Sequence, residues 1–133
     1  MATVRKEVVT RARPAEVWDA LRDIGALHTR LVPGFVVETV LEPGARRVTF
    51  ANGVTVREPI ITLDEARRRL VWSVEGLPTT HYNASAEVLD HAGGARVVWT
   101  ADFLPDDMAP AIDEAMTAGA AAMQAAMDRL APA

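Results

Sequence analysis

The chain is short, acidic and free of cysteine, with 133 residues and a formal net charge of −4. This length suits one domain, and the lack of cysteine excludes a disulfide framework and a thiolate zinc site. The acidic balance argues against a nucleic-acid partner. No apolar run is long enough to cross a bilayer or to act as a secretory signal. We therefore predict one domain over residues 1–133, located in the cytoplasm and without membrane insertion.

Hydrophobic periodicity in the first third of the chain predicts a strand followed by two short helices. Spaced valines mark an edge or flanking strand over residues 3–11. Pro14 suits the first position of a helix, and Glu16 lies in its first turn, where the helix dipole favours a carboxylate. Gly25 ends this helix, and a second short helical segment is expected over residues 26–31.

The middle of the chain changes to the two-residue period that is typical of β-strands. Asn52-Gly53 is a strong signal for a two-residue hairpin turn. Pro59 falls inside a strand, where it lacks a ladder donor, so we expect a bulge or an unpaired side there. The strands are predicted over residues 35–41, 46–50, 54–63, 68–75, 79–89 and 96–103.

The last third of the chain predicts one helix of about twenty residues. Asp106 and Asp107 open it, at the end where the helix dipole favours acidic side chains. Its apolar stripe consists of Met108, Ile112, Met116, Gly119, Met123, Met127 and Leu130. A strand, two short helices, a run of antiparallel strands and a long helix define the α+β class, with the helices on one face of the sheet.

Short motifs along this order of elements resemble a known family. They are PAEVW at 14–18, GVTVRE at 53–58, LD at 63–64, LP at 77–78, HY at 81–82 and VWTADFLP at 98–105. The chain is similar to the START-like helix-grip (SRPBCC) superfamily, and within it to the bacterial polyketide cyclase/dehydrase-like family. The resemblance implies a helix-grip fold: a curved antiparallel sheet of about seven strands wraps around the C-terminal helix and leaves a cavity between them. It implies no metal and no redox cofactor.

Glu58 is the most informative polar residue, because alternation places it on one strand face with apolar neighbours. A carboxylate on such a face is costly to bury unless it is paired or protonated. The residues of the opposite face are Arg57, Pro59, Ile61 and Leu63. They are also partly apolar, and their burial would instead leave Glu58 in solvent. The resemblance favours a Glu58 that faces the cavity, where burial would raise its pKa and suit it to general acid–base catalysis.

The remaining candidates for ligand contact come from inward-facing strand positions and from the long helix. The resemblance implies that Tyr82, the single tyrosine, lines the cavity, and core packing is the alternative for it and for both inward-facing tryptophans. Small residues interrupt the methionine stripe of the helix, which favours a hollow there, although such a stripe is also typical of an ordinary core. The predicted ligand-contacting residues are Val56, Ile60, Trp72, Val74, Ala84, Trp99, Ala101, Met116, Gly119, Ala120 and Met123.

Two hypotheses of different classes fit these features. The first is a carrier or sensor that binds a small hydrophobic ligand, polyketide-like, aromatic or lipid-like, in an internal cavity. The second is a cofactor-independent polyketide cyclase, aromatase or dehydratase in which Glu58, aided by Tyr82, transfers protons. The three histidines, at 28, 81 and 91, lack a metal-ligand spacing, so no metal site is predicted. The sequence leaves the oligomeric state open, with a homodimer among the outcomes.

Overall fold

The computed structural model describes residues 1–133 and contains seven β-strands in one sheet. The strands are β1 (Ala2–Thr10), β2 (Val36–Glu42), β3 (Ala45–Phe50), β4 (Thr55–Asp64), β5 (Arg69–Ser73), β6 (His81–His91) and β7 (Gly94–Leu104). Their order across the sheet is β1-β7-β6-β5-β4-β3-β2, and every neighbouring pair is antiparallel. The first strand therefore lies at an edge, as predicted, and β2 forms the other edge.

Four helical segments complete the fold. They are α1 (Pro14–Arg22), a π-helical turn (Leu27–Leu31), a 3-10 turn (Asp106–Met108) and the 20-residue helix α2 (Ala109–Asp128). The acidic pair at 106 and 107 forms the 3-10 turn, so α2 begins later than predicted. None of these helices is long and apolar enough to cross a membrane. The sheet curves around α2, which confirms the predicted helix-grip fold.

Helix α2 packs on the sheet through an apolar stripe that is shorter than predicted. Its buried members are Ile112, Met116, Gly119, Met123, Ala126 and Met127. Leu130 lies beyond the helix and is exposed. Gly119 permits a close approach, because a Cβ atom there would lie 2.8 Å from Cη2 of Trp99 and 3.0 Å from Cε2 of Phe35. The sheet and the helix are therefore in tight contact at the middle of α2.

The turn between β3 and β4 is wider than the predicted two-residue turn, since the strands stop at Phe50 and restart at Thr55. Gly53 adopts a φ of 88°, a left-handed conformation that glycine tolerates best, and its N–H donates to the Phe50 carbonyl at 2.9 Å. The N–H of Val54 donates to Oδ1 of Asn52 at 3.0 Å. The turn is thus closed by its own hydrogen bonds.

Burial along strand β4 shows which of its two faces carries Glu58 into the interior. Val56 and Glu58 are buried, whereas Thr62 on the outer part of the strand is exposed. The irregularity expected at Pro59 lies just beyond it, as a register shift against β5 between Ile60 and Thr62. Glu58 therefore faces the inside of the curved sheet, and its own face, not the opposite one, is the core face at this point.

Candidate functional site

A cavity of about 610 Å³ lies between the inner face of the sheet and helix α2. This volume is within the range of small-molecule binding sites. Of the 28 residues that line it, 24 are hydrophobic, and the other four are Arg46, Asn52, Glu58 and Glu114. The walls are therefore apolar, with polar groups at a few positions only.

Exposure along the lining shows where the cavity opens. The exposed lining residues belong to the β3–β4 turn and to the outer side of α2: Ala51, Asn52, Val54, Ala111, Glu114, Ala115 and Ala118. We call this set the mouth. Phe35 and Phe50 also line the cavity and pack edge to face, with ring centroids 5.2 Å apart. The opening thus lies between the turn and the N-terminal half of α2.

A buried ion pair lies on the sheet wall of the cavity. Arg46 on β3 is directly opposite Glu58 on β4, and Nε of Arg46 donates to Oε1 of Glu58 at 2.8 Å. The two side chains are 2% and 7% exposed. Nη1 of Arg46 also donates to the Ile24 carbonyl at 3.4 Å, and Cζ lies 5.4 Å from the ring centroid of Trp72. The guanidinium is thus held by a carboxylate, a carbonyl and an aromatic face.

Burial and pairing act on Glu58 in opposite directions. Burial raises the pKa of the Glu58 carboxyl, and the charge and hydrogen bond of Arg46 partly offset this rise. A buried charge that loses its partner typically costs about 3–5 kcal/mol, so each member of the pair depends on the other. When both side chains are ionised, the pair as a whole carries no net charge.

Each member of the pair has one polar atom that makes no hydrogen bond within the protein. Oε2 of Glu58 and Nη2 of Arg46 have no protein hydrogen bond. The fully buried side-chain nitrogen and oxygen atoms that lack a hydrogen bond are Nε of Arg96 and Nε1 of Trp99 only. Oε2 of Glu58 and Nη2 of Arg46 are therefore not fully buried, and both residues line the cavity. A ligand in the cavity can therefore meet one acceptor and one donor next to each other.

Tyr82 adds a third polar group to this wall. Its ring packs against Phe103 with centroids 5.8 Å apart. Its hydroxyl has no hydrogen bond within the protein and is not fully buried, and the residue lines the cavity. Burial, with a contribution from the charge of Glu58, raises the pKa of Tyr82 to about 12. The hydroxyl is therefore neutral at ordinary pH and able to donate or accept. We call Arg46, Glu58 and Tyr82 the polar cluster.

The structure brings most of the predicted site residues to the cavity wall. Those that line it are Val56, Glu58, Trp72, Val74, Tyr82, Trp99, Met116 and Met123. Those that do not are Ile60, Ala84, Ala101, Gly119 and Ala120. The role of the first set in binding or catalysis remains a prediction, and so does ligand contact by the second set, which does not form part of the cavity wall.

The two sheet alanines point inward as predicted but stop short of the cavity. Ala84 and Ala101 are opposite each other on β6 and β7, and both are fully buried. Ala84 is also opposite Trp72 on β5. Ile60 is partly buried at the register shift of β4, where the strand leaves the cavity wall.

The cavity does not extend directly below Gly119, because the rings of Trp99 and Phe35 fill the space there, although Met116 and Met123 on either side of it line the cavity. Ala120 packs against the core on the side of the helix away from the mouth. The small helical residues that do border the cavity lie nearer the N-terminus, at 111, 115 and 118. Their spacing of four and three residues places them on one face of the helix.

Arg46 is the main site residue that the sequence analysis missed, although the sequence holds a signal for it. The turn around Asn52 sets the register of the β3–β4 hairpin, which places residue 46 opposite residue 58. Alternation along β3 puts Arg46 on the same face as Val48, which is buried. The structure holds no group of three histidine, aspartate or glutamate side chains placed to bind a metal ion.

The sheet, the gripped helix and the cavity between them define a helix-grip protein. The sequence matches the family described as polyketide cyclase / dehydrase and lipid transport over residues 1–133, and the chain belongs to that family. No curated protein sequence matches the chain significantly.

Solved structures agree with this assignment. The chain is similar to XoxI from Bacillus cereus, with 20% sequence identity, a TM-score of 0.84 and coverage of 96% of each chain. A protein from Thermobifida fusca shares 29% identity and has a TM-score of 0.78, covering 98% of this chain and 95% of its own. Ara h 8.0201 shares 18% identity with a TM-score of 0.71, covering 93% and 95%. The first and third of these likenesses show the fold alone.

Proposed function

We propose that the protein binds a small hydrophobic ligand in the cavity between the sheet and α2, as a carrier or a sensor. The observation that carries this proposal is the cavity itself: about 610 Å³, with 24 of 28 lining residues hydrophobic and a polar cluster on one wall. The cytoplasmic location stays a prediction from the sequence, and the oligomeric state stays open.

The physical chemistry of the wall supports binding of an apolar body. Transfer of apolar surface from water to such walls gains about 25 cal/mol per Å². A few polar groups then orient the ligand, as Oε2 of Glu58, Nη2 of Arg46 and the Tyr82 hydroxyl are placed to do. The description of the family includes lipid transport, which is consistent with an apolar cargo.

A fluorescence titration with the neutral apolar dye N-phenyl-1-naphthylamine tests this proposal. We expect saturable binding to the wild-type protein with a rise in dye fluorescence. The variant Ala115→Trp/Ala118→Trp fills the mouth from α2 and should weaken binding by about tenfold or more. The matched control is Ala121→Trp/Ala125→Trp, two exposed alanines of the same helix that do not line the cavity. Absence of dye binding, or equal loss in both variants, would contradict the proposal.

A second candidate function is supported by the placement of Glu58 and Tyr82 on one cavity wall. In a cyclase or dehydratase, Oε2 of Glu58 would accept a proton from a poly-β-ketone chain, and the apolar walls would hold the chain folded. General acid–base catalysis of this kind contributes about 10²–10⁴-fold. Glu58→Gln should then abolish turnover of such a substrate while dye affinity is retained. Turnover that survives this substitution would remove Glu58 from the mechanism.

A further inference from the structure

We propose that the cavity selects neutral ligands whose single polar end carries both a hydrogen-bond donor and an acceptor, such as a carboxamide or a hydroxyketone. This end would bind against the Arg46–Glu58 pair, with the apolar body extending towards the mouth. The inference rests on the proposed function of the same cavity and specifies the chemical class of its ligand.

The polar atoms that the pair offers match such a group. Oε2 of Glu58 accepts a hydrogen bond and Nη2 of Arg46 donates one, and neither has a protein partner. The two atoms belong to side chains joined by a 2.8 Å hydrogen bond, so one compact group reaches both. An amide or hydroxyketone can satisfy both atoms at once, and the Tyr82 hydroxyl serves a further oxygen.

The same pair disfavours an ionised end. A carboxylate that approaches Nη2 of Arg46 also comes close to the charge of Glu58, and an ammonium group meets the reverse arrangement. The attraction and the repulsion largely cancel because the opposite charges are adjacent. The desolvation of the ligand's own charge is then left uncompensated. At the mouth, Glu114 adds a further negative charge that does not favour an anion.

A wholly apolar ligand is also disfavoured, for a different reason. It would cover Oε2 and Nη2 without a hydrogen bond, and a buried polar atom that is left unpaired loses its interaction with water. The wall therefore distinguishes three kinds of ligand end: neutral and polar, charged, and apolar.

Competition experiments with four naphthalenes of matched shape test the inference. The probes are 2-naphthamide, 2-naphthoate, the ammonium form of 2-naphthylmethylamine, and 2-methylnaphthalene, each displacing N-phenyl-1-naphthylamine at neutral pH. We expect the amide to bind about tenfold more tightly than each of the other three. If naphthoate, the ammonium or methylnaphthalene binds as tightly as the amide, the inference is wrong. If the dye itself does not bind, the proposed function fails instead.

A charge variant then tests whether the pair sets the selectivity. Glu58→Gln keeps an oxygen that can accept from Arg46 but removes the negative charge, so the wall becomes cationic. The ratio of the Kd of naphthoate to that of naphthamide should fall by about tenfold. Glu38→Gln, at an exposed glutamate that does not line the cavity, is the matched control and should leave this ratio within about twofold. An unchanged ratio in Glu58→Gln would overturn the inference, and if this variant does not fold, the wild-type ranking decides.

Discussion

The β3–β4 hairpin carries arginine–glutamate pairs on both of its faces, and their surroundings give them different properties. On the inner face, Arg46 bonds Glu58 at 2.8 Å, and both are buried. On the outer face, Glu42 of β2 accepts from Nε of Arg47 and Nε of Arg57, both at 2.9 Å, with all three partly exposed. The distances are nearly equal, so geometry alone does not distinguish the two faces.

Desolvation accounts for the difference. On the outer face, hydrogen bonds from Arg57 and Arg47 lower the pKa of Glu42, because water still surrounds the group and burial adds little. On the inner face, burial raises the pKa of Glu58 despite an equally short bond. The outer pairs are therefore ordinary surface ion pairs, whereas the inner pair is costly to bury.

The largest expected effect comes from breaking the inner pair. Glu58→Leu leaves the Arg46 guanidinium buried without a carboxylate, and we expect a loss of about 3–5 kcal/mol in the free energy of unfolding. Glu42→Leu on the outer face should cost much less, because its arginines remain in water. Urea denaturation of both variants makes the comparison.

The double variant Arg46→Met/Glu58→Leu controls for the removal of charge itself. It replaces the pair with apolar groups of similar volume, so its stability should return to that of the wild type or exceed it. The variant should also lose the preference for naphthamide over methylnaphthalene. A double variant no more stable than Glu58→Leu would show that the packing of these side chains, not their charge, is what the core needs.

An intermediate effect is expected in the pH dependence of stability, because the glutamates on the two faces should change stability with pH in opposite directions. The pKa of Glu58 is raised above its usual 4.5, so the folded state holds this proton more tightly than the unfolded state. The stabilisation that comes from this protonation is complete below pH 4.5, and it is lost as the pH rises through the pKa of Glu58 in the folded state. The pKa of Glu42 is lowered, so its contribution is present above the unfolded pKa and is lost as the pH falls through the folded one.

Unfolding curves of wild type, Glu58→Gln and Glu42→Gln across a pH series measure these signs. The stability of the wild type relative to Glu58→Gln should decrease as the pH rises from 4.5. Relative to Glu42→Gln it should decrease towards acid pH. The same sign for both variants would contradict the assignment of burial as the cause of the Glu58 shift.

The smallest expected effect on stability comes from Tyr82→Phe. The hydroxyl has no protein hydrogen bond, so its removal should change the free energy of unfolding by less than about 0.5 kcal/mol. The same change should weaken naphthamide binding several-fold more than methylnaphthalene binding, as measured by dye displacement. A large loss of stability with no change in selectivity would place the hydroxyl in the core and outside the site.

Much of the fold was predictable because its signals are local. The two-residue period of the strands, Pro14 at the start of α1 and the glycine of the β3–β4 turn each act within a few residues, and all three are found. The position of Glu58 was only partly predictable. Both faces of β4 are partly apolar, and only the packing of the whole sheet makes the face of Val56 and Glu58 the buried one.

The sequence by itself determined the order of the elements and, on the strands with one clearly apolar face, the residues that face inward. The tertiary structure decided which inward-facing residues border the cavity. Gly119 is as small as the sequence indicates, yet two rings from other elements, those of Trp99 and Phe35, fill the space below it. The reason is that alternation and helical spacing fix the direction of a side chain, whereas the volume left over a small residue depends on side chains that are distant in sequence.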